Sequence, residues 1–446
     1  LLQRTDGKSL AATPGTGHAA AVTDNEPGLA ARAAALDLLS AALSGRAGLD
    51  EGLTAPALRT LAPRDRAFAR AMTMAALRRL GPIDRALDAK LNRAPPDAVR
   101  NILRLGAAQA LVMGVAPHAA VGASVDLAAA DHKTRGFKGL VNAVLRGLLR
   151  EPPSLDDPEA LAPAWLLARW RANLGEAEAR AVASLIAEEP ATDLSPKDEA
   201  TAAELAEALE AEVLPGPSLR TARRGDLSAW PGFAEGRWWV QDASAAVPAR
   251  LLGVRSGETV LDLCAAPGGK TLQLAAAGGQ VTAVDKSAGR LKRVDENLAR
   301  TGLSAETVVA DAAEWRDDRR FDAVLLDAPC SATGTFRRHP DVLWAARPGD
   351  IASLAAVQSR LLDAAARRVK PGGRVVYCVC SLEPEEGEGQ VQGFLARNPG
   401  FALAPIAEGE GGSPAASLRP DGTLRVLPHH RTGGTDGFYI ARFGRA

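Results

Sequence analysis

Residues 259–302 read TVLDLCAAPGGKTLQLAAAGGQVTAVDKSAGRLKRVDENLARTG. TVLDLC is an apolar run of strand length, and GGKTLQLAAAGG carries apolar residues at helical spacing and ends in glycine. VTAVDK is a second strand, and SAGRLKRVDENLARTG is a helix with Gly302 at its end. Apolar strands alternating with helices predict a parallel sheet covered on both faces. The rhythm continues downstream. ETVVAD, FDAVLLDAPC and RVVYCVCS read as strands. DIASLAAVQSRLLDAAARRVKPGG reads as a helix, and PEEGEGQVQGFLARNPG as a helix opening at Pro384. The fold class is α/β, with a Rossmann-like domain expected over 236–446.

Upstream the pattern changes. LAARAAALDLLSAAL, RDRAFARAMTMAALRRL, AVRNILRLGAAQALVMG and GFKGLVNAVLRGLLRE all show helical spacing, and GPIDRALDAKLN opens on a Gly-Pro break. No run looks like a strand, so residues 29–153 are expected to form an all-α bundle ended by Pro152 and Pro153. Residues 154–235 read as a small α+β connector: three helices and a possible short strand. Residues 1–28 are small, polar and punctuated by Gly and Pro. They are expected to be a disordered lead-in rather than a signal peptide.

The 446-residue chain suits two or three domains, and its composition is that of an ordinary soluble protein. No apolar run reaches the roughly 18 residues of a membrane span. These features point to the cytoplasm, where thiols stay reduced, and nothing argues for an obligate oligomer, so a monomer is expected. Net charge is zero but uneven. Between Arg59 and Arg150 sixteen Lys/Arg face six Asp/Glu, with no glutamate. A basic module on a neutral chain suggests a polyanionic partner, nucleic acid above all.

In an open parallel sheet, ligands sit beyond the C-terminal strand ends. DLCAAPGGKT follows the first strand. Gly268 and Gly269 let backbone approach a ligand, and the next helix offers free N–H groups. Asp285, Asp311 and Asp327 end the next three strands, placed to accept ribose hydroxyls, an adenine amine and a further donor. The pattern is neither GxxxxGK[ST] nor GxGxxG. A ribose-binding acid without a phosphate loop suggests an adenosine ligand lacking phosphate, such as S-adenosylmethionine.

The four cysteines are Cys264, Cys330, Cys378 and Cys380. They do not form the close CxxC pairs of a zinc site, so no metal is expected. Residues two apart in a strand share a face, with Cys380 at the ligand end and Cys378 one step deeper as buried packing. Cys330 ends the neighbouring strand, so Cys330, Cys380 and Asp327 could converge. Carbon 5 of a pyrimidine is too poor a nucleophile to take a methyl group from a sulfonium. A thiolate adding to carbon 6 makes carbon 5 enamine-like. Asp327 could share a proton with ring N3 and grip the exocyclic amine, selecting cytosine. A second thiol at Cys330 could assist release. Lys270, Arg337, Arg338 and the helix near Pro384 are candidate positive influences on the thiolate.

DLCAAPGGKT, DAPCSATGTFRRHPD and YCVCSLEPEE resemble the motifs of RNA 5-methylcytosine methyltransferases, most of all the bacterial RsmB/Sun-type branch that acts on small-subunit (16S) rRNA. The likeness spans about 238–446, from WWVQDASAAVPARLL to the terminal strand DGFYIARF. The helical module resembles the NusB-like RNA-binding domain of that branch. The resemblance implies that Cys380 attacks and Cys330 releases. It implies that Asp285, Asp311 and the loop of Cys264, Ala265, Ala266, Pro267, Gly268, Gly269 and Lys270 hold S-adenosylmethionine. Arg290 and Asp327 are taken with that set. Two departures stand out: Val379 replaces the usual Thr before the nucleophile, and TDLSPKDEA replaces an LRVN-like strand in the connector. The target cytosine must be unpaired or flipped out.

Two other readings remain open. One keeps the enzyme class but takes tRNA as substrate. The other is a catalytically inactive RNA-binding assembly factor, which would have no use for paired thiols. An amine-methylating DNA enzyme fits poorly, since DAPC supplies a thiol where amine methylation needs none. Elsewhere, Arg337, Arg338 and His339 are candidates for gripping phosphate. Trp238 and Trp239 are candidates for stacking on a base, or for packing. Asp242 is a candidate helix cap, Met72, Met74 and Met113 are core, and EPEEGEGQ is a solvated helix start. His429 and His430 are not spaced with any cysteine and are not read as metal ligands.

Overall fold

The structure is a computed structural model and describes residues 28–44, 49 and 56–446. The expected disordered lead-in lies outside the described residues, apart from Gly28.

The basic module folds as helices Leu29–Ser44, Pro56–Arg59, Pro63–Arg78, Leu80–Asp88, Asp97–Leu111, Pro117–Ala130 and Lys138–Arg150. They close on one core, in which Leu39, Met72, Leu77, Ile102 and Leu145 are buried and Met74 and Met113 line the edge. Gly81 and Pro82 lie inside the first turn of their helix rather than before it. A side chain at Gly81 would place its Cβ 1.8 Å from the Ala160 carbonyl oxygen, so only glycine lets the connector approach here. The C-terminal part of the chain reaches back. Trp344 packs on the helical core, and Asp341 accepts the Leu49 N–H at 3.0 Å.

The connector holds helices Pro158–Leu161, Ala164–Leu174, Glu176–Ser184 and Ala202–Leu209, and four strands rather than one. These are β1 (Thr192–Pro196), β2 (Ala211–Val213), β3 (Leu219–Thr221) and β4 (Trp238–Val240), in the order β2-β3-β1-β4, all antiparallel. Strands of three to five residues carry too few alternations to show a period. TDLSP, read as replacing a strand, is itself one of the two inner strands. Its Asp193 is buried against Arg220, two hydrogen bonds of 2.7 Å each. β4 lies just past the boundary expected at 235.

The large sheet contains β5 (Thr259–Leu263), β6 (Gln280–Asp285), β7 (Glu306–Val309), β8 (Phe321–Asp327), β9 (Val369–Val379), β10 (Phe401–Leu403), β11 (Leu424–Val426) and β12 (Phe438–Arg445). The order is β10-β12-β9-β8-β5-β6-β7, with β11 also on β12. β5 to β9 are parallel, as expected, while β12 runs antiparallel to β9, β10 and β11, making the sheet mixed. Apolar clusters cover both faces, centred on Leu326, Tyr377 and Phe443 on one side and Leu325, Val376 and Ile440 on the other. This sheet, the helical bundle and the connector give the α/β fold read from the sequence. No helix among the described residues is long and apolar enough to cross a membrane.

Candidate active site

The site lies at the C-terminal ends of the parallel strands. β5 runs out into Cys264, whose φ of 61° turns the chain into the loop. Gly268, with φ 102°, then starts helix Gly269–Ala276. A Cβ at Gly268 would lie 3.1 Å from both Val294 methyls. Asp285 ends β6 and is buried, its Oδ1 accepting the Ser287 N–H at 2.9 Å and its Oδ2 the Ala266 N–H at 3.2 Å. Two of its roughly four lone-pair directions remain. Arg290 braces the loop by donating to the Ala266 carbonyl. Asp311, two residues past β7, is exposed and accepts the Ala313 N–H at 2.9 Å.

Asp327 ends β8 in register with Cys378 of β9. Its Oδ2 accepts from Lys270 Nζ at 2.7 Å and its Oδ1 from Cys378 Sγ at 3.4 Å. Burial lowers the Lys270 pKa, but the charge of Asp327 and the hydrogen bond to it work against burial, and the ammonium is held well above its ordinary value. Beneath them is Asp262, which sequence reasoning passed over as an ordinary strand residue. It is fully buried, accepts from Thr271 Oγ1 at 2.6 Å, and is pushed up to about 7, first by burial and then by the charges of Asp327 and Asp285 against Lys270. Burial, with the charges of Asp327 and Asp285, pushes the Cys264 thiol up to about 12. Cys264 therefore lines the loop as an unreactive thiol. Cys378 is fully buried, as expected of packing.

The two remaining cysteines meet. Cys330 and Cys380 are free thiols, partly exposed, with sulfurs 3.4 Å apart. The hydrogen bond with Cys380 raises the Cys330 pKa most, followed by burial and then by the charges of Cys380 and Glu386. Cys330 is thus the thiol that keeps its proton. Next to each cysteine is a serine, and both serines bond to the buried carboxylate of Glu386. The repeated Cys-Ser pair was visible in PCSA and VCSL, but its shared partner was not.

Several expectations fail here. EPEEGEGQ is not a solvated helix start. The helix begins at Glu388, Glu383 and Glu386 are wholly buried, and Pro384 sits in a turn. No helix end therefore acts on Cys380 from Pro384. The reason is pairing: Glu383 accepts from Arg169 at 2.7 Å and from Trp170 Nε1 at 3.3 Å. Arg337 is 2% exposed and donates to the Gly433 carbonyl at 2.7 Å, so it cannot grip phosphate. Arg338 pairs with buried Asp436, whose pKa burial pushes up to about 6 against the pull of Arg338. Asp436 and Cys380 in turn raise Arg338 against its own burial. Of the two arginines, Arg338 is the one that interacts electrostatically with Cys380. His339 lies partly buried beside them. Trp238 and Trp239 are buried packing, and Asp242 caps the next helix by accepting the Ser244 N–H at 2.8 Å. Among the described residues His429 and His430 gather with Glu178, a carboxylate overlooked when only cysteines were sought. Glu178 pairs with His429 Nε2 at 2.6 Å, and His430, pushed down to about 4 by burial and by the neighbouring His429, stays neutral.

Comparison with known proteins agrees with this geometry. The family model described as 16S rRNA methyltransferase RsmB/F matches residues 249–444, and that of the NusB family matches residues 29–150. Ribosomal RNA small subunit methyltransferase B of Cronobacter sakazakii is 38% identical over 77% of this chain and 81% of its own. The protein of that name from Pseudomonas syringae pv. tomato is 37% identical over 92% of this chain and 96% of its own. The crystal structure of PH0851 superposes with a TM-score of 0.74 at 25% identity, covering 94% of this chain and 99% of its own. The chain belongs to the ribosomal RNA small subunit methyltransferase B family, and its activity is S-adenosylmethionine-dependent methylation of rRNA.

Proposed function

We propose that this protein transfers a methyl group from S-adenosylmethionine to carbon 5 of a cytosine in small-subunit (16S) rRNA, through a covalent bond between Cys380 and carbon 6. The observation that carries this reading is the pair of thiols 3.4 Å apart at adjacent parallel strand ends, beside a carboxylate held by a buried lysine. Methylation of an amine or hydroxyl needs no thiol, and a structural pair would not sit partly exposed at the ligand edge.

S-adenosylmethionine supplies an electrophilic methyl group. The residues around it suit its chemistry. The Cys264–Lys270 loop offers backbone N–H groups at a helix start, Asp285 keeps acceptor capacity for ribose hydroxyls, and exposed Asp311 suits the adenine amine. The Cys380 thiolate adds to carbon 6 and opens the 5,6 double bond, while a proton shared between the Asp327 carboxyl group and N3 offsets the negative charge that addition places on the ring and the same carboxyl group accepts from the exocyclic amine. Lys270, held against Asp327, and Arg338, held against Asp436, bring two cations to this edge of the sheet. Carbon 5 then attacks the methyl carbon, whose bond to the sulfonium sulfur breaks with its electron pair going to sulfur, leaving S-adenosylhomocysteine. A base removes the carbon 5 proton, the electron pair re-forms the 5,6 double bond, and Cys380 leaves as thiolate. Cys330, protonated and in contact with that sulfur, can hand its proton to the leaving group. Residues 29–153 and 154–235 hold the RNA in this reading, and residues 236–446 carry out the transfer.

The test compares the protein, Cys380→Ala and Cys330→Ala, each incubated with S-adenosylmethionine and unmodified small-subunit rRNA and run on denaturing gels. A covalent protein–RNA band in Cys330→Ala, absent from Cys380→Ala, is expected. A band that survives loss of Cys380 overturns the assignment. The same gel with tRNA decides the RNA class.

A further inference from the structure

Unlike Glu383, Asp436 and Asp193, Glu386 is a buried acid of this region with no cation among its hydrogen-bond donors. Glu383, Asp436 and Asp193 each face a guanidinium, from Arg169, Arg338 and Arg220. Glu386, 0% exposed, is held by four neutral donors. Its Oε1 accepts the Ser331 N–H at 2.9 Å and Gln358 Nε2 at 3.0 Å, and its Oε2 accepts the hydroxyls of Ser331 and Ser381. Those four bonds use the carboxylate's whole capacity. A buried charge with no cation among its bonds is a costly device, and packing alone would be served better by an apolar side chain.

What it joins gives the reason. Ser331 follows Cys330 and Ser381 follows Cys380, fifty residues away, and the two hydroxyls are 3.1 Å apart. Gln358 also donates to the Pro329 carbonyl at 2.9 Å, on the other side of Cys330. Tyr377 Oη donates to the Glu386 carbonyl at 2.6 Å, tying the backbone of the acid to β9. One side chain thus fixes both cysteine-bearing turns, each within a residue of its sulfur-bearing Cα.

We propose that Glu386 is a positioning residue that locks the Cys330 and Cys380 turns together and so sets the contact between their sulfurs. The proposal rests on the cysteine chemistry given above. Its consequence is specific. Glu386→Gln keeps the shape but removes the charge, and its NH2 group can meet the Ser331 and Ser381 hydroxyls only by turning them from donors into acceptors, so charge-assisted bonds become weaker neutral ones and the joint between the two turns loosens. Glu386→Asp keeps the charge and shortens the reach by one methylene.

The test has two arms, run on protein whose thermal melt shows it folded. In the first, single-turnover methyl transfer and KM for RNA and S-adenosylmethionine are measured. In the second, diamide is added as oxidant and the rate of Cys330–Cys380 disulfide formation is followed by mass spectrometry, a readout of sulfur proximity that needs neither RNA nor turnover. Glu386→Gln should transfer methyl groups at least tenfold more slowly with KM within twofold, and should form the disulfide at least tenfold more slowly. Glu386→Asp should recover part of both. Wild-type rates in either arm overturn the proposal, because positioning must move transfer and proximity together. If wild-type protein methylates no cytosine, the cysteine mechanism fails, and the disulfide arm alone then decides whether Glu386 sets the contact. Should Glu386→Gln not fold, Ser331→Ala with Ser381→Ala removes the same two hydroxyl bonds and is scored identically.

Discussion

Replacing Arg169 by Met should destabilise the protein, and more so at high pH. Arg169 lies on helix Ala164–Leu174 of the connector and meets Glu383, three residues past Cys380, at 2.7 Å. The Glu383 side chain is 0% exposed and that of Arg169 28%. Without the guanidinium, the buried carboxylate keeps Trp170 Nε1 at 3.3 Å and the Thr333 hydroxyl at 3.5 Å. Removing one partner of a fully buried pair costs about 3–5 kcal/mol. The partial exposure of Arg169 admits water, so about 2–3 kcal/mol is expected here. For a unit of roughly 200 residues this lowers the Tm by about 5–10 °C. The pH dependence has a definite sign. Burial already holds Glu383 above its ordinary pKa, despite the opposing bond to Arg169. A raised carboxyl penalises folding once it is ionised. The penalty is absent below the unfolded pKa and grows as pH rises through the folded one. Arg169→Met lifts the folded pKa further, so its loss should be greatest near pH 8 and should shrink towards pH 5. Thermal denaturation at both values measures it, with Arg169→Met/Glu383→Gln completing a double-mutant cycle that should restore most of the loss. A loss equal at the two pH values, or below about 0.5 kcal/mol, the level of an exposed pair, refutes the argument.

Gly268→Ala should weaken binding of S-adenosylhomocysteine about ten- to hundredfold by calorimetry, since φ 102° and the 3.1 Å approach to Val294 force the loop to shift, a strain of about 1–3 kcal/mol. Lys270→Met should slow adduct formation about a hundredfold in rapid-quench experiments. The site then loses the ammonium beside Asp327 and Cys380, about 2.7 kcal/mol at the barrier. Arg64, Arg70 and Arg93 are exposed on the helical module. Changing all three to Ala should lower the salt slope of RNA binding by roughly 2–3, with methyl transfer at saturating RNA unchanged.

The sequence by itself determined the helical module, the five parallel strands and which polar residues fall at their ends. Each of these is a local signal. TVLDLC or FDAVLLDAPC is apolar throughout because both sheet faces are covered. Asp285, Asp311 and Asp327 fall where strands stop, and Cys380 is one step past Val379. The order of neighbours β8 and β9 follows from how such sheets are wound, which was enough to bring Cys330 and Cys380 together. The short connector strands were lost because three residues show no period. β12 was legible as a strand in DGFYIARF, but its antiparallel direction was not, because direction is a property of the pair and not of the strand.

Only the tertiary structure decided which charges are buried. EPEEGEGQ reads as solvent-facing, since acidic runs usually are. Yet Glu383 is drawn inside by Arg169, more than two hundred residues earlier, and Glu386 by two serines and a glutamine on other elements. Arg337 and Arg338 are adjacent in sequence, but one ends against a carbonyl and the other against Asp436. A polar side chain is buried when a partner from elsewhere satisfies it. That partner is fixed by the packing of the whole chain, so no stretch of sequence carries the answer.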